Sequence, residues 1–257
     1  MKIVILCGGF GTRLREETEV KPKPMIDIGG MPILWHIMKI YAHFGFKEFI
    51  ICLGYKGNVI KEFFYNYEML SNDFTIELGT KNIEIHPRHE EKGWRVTLAD
   101  TGMNAMTGAR VKRVEKYIDG DTFMLTYGDG VTDLDISQLL KFHKSHGKIG
   151  TVTGVCPPSR YGEIIIENDR VHAFCEKPAS TNSTISGGYF VFERRFFEYL
   201  SEENGCILER NPLERLVQEG ELQVYSHHGF WQCMDTFRDY AFLKGLWNSD
   251  KAPWKLW

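Results

Sequence analysis

The chain has 257 residues, 43% hydrophobic and 25% charged, a balance ordinary for a globular protein with a substantial core. Its formal net charge of −3 provides no broad basic field, which argues against a nucleic-acid partner and makes any phosphate site local. No apolar run reaches membrane-span length, and six scattered cysteines without a C-x-x-C pair point to reduced thiols, not to a disulfide framework or a zinc site. The N-terminus runs straight into a strand with no signal-peptide core, so a cytoplasmic location and no membrane partner are expected.

Residues 3–6 are a short β-branched run, read as a buried strand. It ends in Gly8, Gly9 and Gly11, where missing Cβ atoms let main-chain N–H groups approach a ligand. Arg13 and Lys23 follow, and two cations beside a glycine turn suit a polyphosphate. No Lys-Ser or Lys-Thr follows the glycines, so a P-loop is excluded, and Leu14 breaks a dinucleotide fingerprint; a plain glycine turn stays open. Pro32 opens an apolar-periodic helix over 33–44, closed by Gly45, and 48–53 reads as the next strand. A turn at 54–57 leads to a helix over 59–67, with Ile60, Phe63, Phe64 and Tyr67 on one side. Residues 72–94 are expected to hold short strands outside the main sheet, with His86 and His89 as surface residues, since two histidines do not make a metal site. A strand over 94–99 leads into a polar loop, 100–110, and helical spacing resumes over 111–118.

Residues 123–127 form a strongly apolar strand followed by Gly128-Asp129-Gly130. A carboxylate at such a strand end projects into the crevice where open α/β sheets bind ligands, and its hard oxygens suit Mg²⁺ carried on phosphates; an Asp-Gly turn is the plainer alternative. A helix over 134–145 and a strand over 148–155 precede a hairpin, 161–167 and 170–174, which runs into Glu176-Lys177-Pro178. Exposed charges before a turn would explain that tripeptide equally well. Residues 187–192 read as a strand, Asn211 as the N-cap of a helix with Pro212 at its first position and Gly220 closing it, and 222–225 as another strand. Thr236 caps a last helix through Leu246, leaving Asp235 just outside, where the helix dipole alone explains an acid. Trp247, Trp254 and Trp257 are expected to pack on the domain or on a neighbouring subunit. Without repeats or linkers, the expectation is one α/β domain over 1–257, a Rossmann-like mixed, mainly parallel sheet flanked by helices.

Gly8-Gly-Phe-Gly-Thr-Arg-Leu14 with Lys23-Pro24 resembles the signature of the sugar-phosphate nucleotidyltransferases, and later segments are similar to the cytidylyl branch of that family. Cys7 stands where the family usually has alanine, and Trp231-Gln-Cys-Met-Asp-Thr236 departs from the commoner W-x-D-x-G-T. The resemblance implies the nucleotide-diphospho-sugar transferase type of fold and the reaction of CTP with glucose 1-phosphate to give CDP-glucose and pyrophosphate, with Mg²⁺ as cofactor. It implies nucleotide contacts from Leu6, Gly8, Gly9, Gly11, Thr12, Arg13, Lys23, Thr101, Gly102, Arg110 and Gly128, with Thr101, Gly102 and Arg110 on the base. Arg13 would neutralise the departing pyrophosphate and Lys23 the phosphates near the α position. Gly162, Glu176, Lys177, Gly188 and Tyr189 would hold the sugar phosphate, and Asp129 and Asp235 the metal. Homo-oligomerisation, and a supply of activated sugar for surface polysaccharides, are expected on the same ground. Another nucleotide or sugar, or a non-catalytic sensor of sugar nucleotides, are the alternatives.

Overall fold

The computed structural model describes residues 1–11, 21–86, 88, 90–157, 163–167, 169–175 and 184–257. In chain order its strands are β1 Lys2–Cys7, β2 Asp27–Ile28, β3 Met31–Pro32, β4 Glu48–Leu53, β5 Asp73–Ile76, β6 Ile83–His86, β7 Arg95–Asp100 and β8 Thr122–Tyr127. There follow β9 Gly130–Thr132, β10 Gly150–Val155, β11 Glu163–Glu167, β12 Arg170–Cys175, β13 Ile185–Glu193, β14 Leu222–His227 and β15 Trp231–Cys233. Seven of these make the central sheet, in the order β14-β10-β13-β8-β1-β4-β7. Only β13 runs against its neighbours; the other pairings are parallel.

Alternation along β1 shows why the sheet is covered on both faces. Ile3, Ile5 and Cys7 enter one core with the helix Ile33–His43, while Val4 and Leu6 enter the other with Val111, Phe123 and Phe190. The chain leaves β1 toward β4 and β7, then returns to place β8 on the other side of β1. Strand order therefore reverses between β1 and β8, and the crevice beyond their C-terminal ends is the place such a sheet offers a ligand.

Several expectations shift in detail. Asn211 does not cap its helix: Glu214 N–H donates to Arg210 O at 2.9 Å, so Arg210 is the cap, without a side-chain bond, and Asn211 is already helical. The expected 111–118 helix starts earlier, as Thr107–Arg113, and finishes as the 3₁₀ turn Glu115–Tyr117. Its start is fixed from afar, by Met106 N–H on Asn204 O and Ala109 N–H on Cys206 O. The 59–67 helix is two, Gly57–Tyr65 and Tyr67–Ser71. Residues 72–94 do hold a separate ribbon, β5 paired with β6, and His86 there is exposed, bonded to Thr75. His89 lies outside the described residues.

The aromatic tail packs on its own chain. Trp247, Trp254 and Trp257 surround the fully buried His36, whose Nε2 donates to Ile28 O and whose Nδ1 accepts from Trp254 Nε1. Burial drives the His36 pKa down to about 4. Cys7, Cys52, Cys156, Cys206 and Cys233 are free thiols.

Candidate active site

The strand ends place the site residues. β1 delivers Leu6 and the glycine turn; Gly11 adopts φ +65°, and Gly9 has open space where a Cβ would stand. Gly8 is small for another reason. A Cβ there would lie 2.2 Å from the Arg110 guanidinium carbon, because that side chain fills the space beneath the turn.

Arg110 is only 4% exposed, and its terminal nitrogens donate to Leu53 O, Gly102 O, Met103 O, Gly8 O and the Thr101 hydroxyl. Thr101 is equally buried, and its hydroxyl donates to Leu53 O at 2.6 Å. The two side chains expected to face a base are thus occupied with the ends of β1, β4 and β7. Gly102, at φ +91°, continues into the 103–107 segment, which lines the cavity beside the glycine turn. A buried cation held on carbonyls beneath that turn adds positive potential where an anion would sit.

Lys23 opens a 3₁₀ turn whose next two residues, Pro24 and Met25, are buried. Its ammonium lies 2.5 Å from Asp129 Oδ2 and 2.5 Å from Asp235 Oδ1. Burial opposes the charge on Lys23, but the two carboxylates outweigh it and raise its pKa. The ladder of β9 with β15 aligns Gly130 with Cys233, and Met234 N–H donates to Asp129 O at 2.8 Å. That register carries Asp235 across to Asp129. Thr236 caps the helix Phe237–Asn248 in a full capping box with Asp239, which also accepts from Asp235 N–H and so fixes the acid's backbone. Burial, then Asp235 and Asp129, push the Cys233 thiol up to about 12, keeping it protonated and unsuited to be a nucleophile.

Two cavities meet this charge cluster. One, about 330 Å³, lies between the glycine turn, residues 103–107, Lys23 and Asp129. The other, about 220 Å³, lies between Asp129, Asp235, Gly130, Trp231 and residues 186–189. Tyr127 and Asp129 line both. Gly128 sits between, close-packed on Cys7 and Leu6 O. Gly188, at φ +75°, lines the second cavity with its backbone against the Tyr127 ring. Tyr189 is 1% exposed, with its hydroxyl donated to Gly130 O, so its phenol belongs to the core. Thr12, Arg13, Gly162, Glu176 and Lys177 lie outside the described residues. Sequence reasoning missed Tyr127 and Trp231, since an aromatic at a strand end carries no local mark of a site.

Asp129 and Asp235 are a donor set that fits a hard divalent ion, because two carboxylate oxygens converge on one point with room beside them for phosphate oxygens. Among the described residues no group of three or more His, Cys, Asp or Glu could hold a metal ion by itself.

A mixed sheet with its crevice at the β1/β8 switch, glycine turn and paired carboxylates defines a nucleotide-handling transferase. The chain belongs to the nucleotidyl transferase family, whose profile matches residues 2–243, and it is an enzyme of that class. It is 52% identical to a glucose-1-phosphate cytidylyltransferase of Salmonella typhi over 258 residues, covering all of both chains. It is 30% identical to the catalytic subunit beta of a mannose-1-phosphate guanylyltransferase of Dictyostelium discoideum, over 96% of this chain and 64% of that one. In fold it is similar to the crystal structure of HddC from Yersinia pseudotuberculosis, with a TM-score of 0.68 and 22% identity over 96% of this chain and 99% of the other.

Proposed function

We propose that this chain transfers a cytidylyl group from CTP to α-D-glucose 1-phosphate, giving CDP-glucose and pyrophosphate. The observation that carries the reading is the full-length 52% identity to a protein named for that reaction, and the charge cluster shared by two cavities supports it. A phosphate oxygen of the sugar attacks the α-phosphorus in line, a new P–O bond forms, and the bond from the α-phosphorus to the bridging oxygen breaks. The nucleophile is already an anion, so no general base and no covalent enzyme intermediate are required. Catalysis then rests on positioning and charge neutralisation.

In this reading the cavity beside Gly8, Gly9 and Gly11 takes the nucleotide, and the cavity beside Gly188 takes the sugar, with Asp129 at their junction. Lys23 exchanges its carboxylate contacts for the phosphates near the α position, and Arg13 meets the departing pyrophosphate. Glu176 and Lys177 contact the sugar and its phosphate beside Gly162. Asp129 and Asp235 hold the divalent ion, Mg²⁺, which supplies charge neutralisation at the phosphates. Thr101 and Arg110 act on the base indirectly, by setting the path of residues 102–107.

The reading also takes residues 1–257 as one nucleotidyltransferase domain, cytoplasmic and homo-oligomeric, feeding polysaccharide synthesis with an activated sugar. Free thiols accord with the cytoplasm. Among the described residues no helix is long and apolar enough to cross a membrane. For assembly, the ribbon of β5 and β6 sets Phe74, Ile76, Ile83 and Ile85 on one face and Asp73, Thr75, Glu84 and His86 on the other. Phe74, Ile76 and Ile83 are nearly half exposed, a face that a second copy of the chain would cover.

The test is pyrophosphate release with glucose 1-phosphate and Mg²⁺, offering CTP, UTP, dTTP, ATP and GTP separately. Release with CTP alone is expected. Release with another nucleotide would keep the chemistry and overturn the base assignment, and chelation should abolish release until Mg²⁺ is restored.

A further inference from the structure

Besides Asp129, Tyr127 is the side chain common to the walls of both cavities. Its ring is pinned in three places. A Cβ on Gly188 would come within 2.5 Å of it, so the Gly188 backbone lies directly on the ring. Phe190 meets it edge-on at 6.1 Å. The hydroxyl donates to Glu209 Oε1.

Glu209 belongs to none of the motifs above. Its second oxygen, Oε2, accepts from the Thr107 hydroxyl at 2.6 Å. Thr107 lines the glycine-turn cavity and is the first residue of the helix Thr107–Arg113. Its hydroxyl in turn accepts from Leu208 N–H at 2.9 Å. One carboxylate thus joins the partition between the cavities to the helix on the glycine-turn side. It is itself exposed. Hydrogen bonds made by an exposed carboxylate add little to folding, because water competes for both partners, so stability gives no good account of this arrangement.

We propose that Glu209 is a positioning residue for the transfer reaction. It holds the Tyr127 ring as a fixed partition, so that the nucleotide's α-phosphorus and the attacking sugar phosphate meet at Asp129 in line. This rests on the assignment of the two cavities to nucleotide and sugar made above.

The experiment is steady-state kinetics of Glu209→Ala, Tyr127→Phe and the double variant, each with its thermal melt. Glu209→Ala is expected to lower kcat/KM for the sugar phosphate about tenfold, the scale of one lost hydrogen bond to a charged group, at an unchanged melting temperature. Tyr127→Phe should reproduce most of that loss, and the double variant should lose no more than the larger single one, because both cut the same link. Glu209→Gln, which keeps the shape and one acceptor, should recover part of the activity. Wild-type constants in Glu209→Ala, losses that multiply in the double variant, or a loss accompanied by a matching fall in melting temperature would each overturn the proposal. Each variant is compared with the wild type on whichever nucleotide the wild type turns over. A different preferred nucleotide would therefore count against the cytidylyl reading without touching this test.

Discussion

A cavity of about 600 Å³ lies between the helix Gly57–Tyr65 and β7, walled by Phe64, Tyr67, Trp94, Val96 and Leu98. The cavity at the glycine turn is about 330 Å³, yet it holds Lys23 and Asp129 together with residues whose backbone was shaped to leave space. Lys61, Glu62, Glu68 and Glu91 stand around the larger cavity. At the wall of the smaller one, two carboxylates 106 and 212 residues along the chain from Lys23 converge on its ammonium. Volume reflects how helices happen to cover a sheet. Chemistry needs elements from separate parts of the chain to end in one place, and the strand reversal at β1 and β8 supplies that.

The sharpest way to break this contrast is to remove the charges that the proposed function assigns to the reaction. Asp129→Asn and Arg13→Ala should each keep the melting temperature and lose on the order of 10²- to 10³-fold in kcat, the cost of one transition-state charge partner. Wild-type turnover in either would put the reaction elsewhere. A second effect concerns the sealed aromatic box. His36 has its pKa held near 4 in the folded chain, against about 6.5 when unfolded. Below pH 6.5 the unfolded chain takes up this proton and the folded chain does not, so stability falls as pH drops toward 4, by up to about 3 kcal/mol. Urea midpoints at pH 7.5 and pH 5 measure it, and a flat profile would remove His36 as the source. Next in size is assembly. Ile76→Glu with Ile83→Glu should lower the mass seen by light scattering, and an unchanged mass would place the subunit contact away from the ribbon. The smallest effect belongs to the large cavity, where Tyr65→Ala, at an 86% exposed position, should leave kcat within about twofold.

What was legible in the sequence was whatever is local. β1 and its glycine turn, Asp129 at the end of β8 and Thr236 as a cap each depend on neighbours a few residues away, and the structure has them there. The roles of Arg110 and Thr101 were harder, since their partners are carbonyls on three different strand ends, gathered only by the tertiary fold. The same holds for Tyr127 and Glu209, 82 residues apart with no spacing rule to connect them. Asn211 shows the opposite failure: a good capping side chain stood one residue inside the helix, because Arg210 O had already taken the first helical bond. The ribbon's alternation was present in residues 73–86, but alternation alone does not say which face stays uncovered.

The bond from Trp254 to His36 spans 218 residues. During synthesis, at about 5–20 residues per second, the helix that carries His36 is complete tens of seconds before its last covering residue leaves the ribosome. Until then an apolar flank of the first-made half faces water bare. The nascent chain therefore passes through a vulnerable interval whose length is set by translation, and slow codons late in the message would lengthen it.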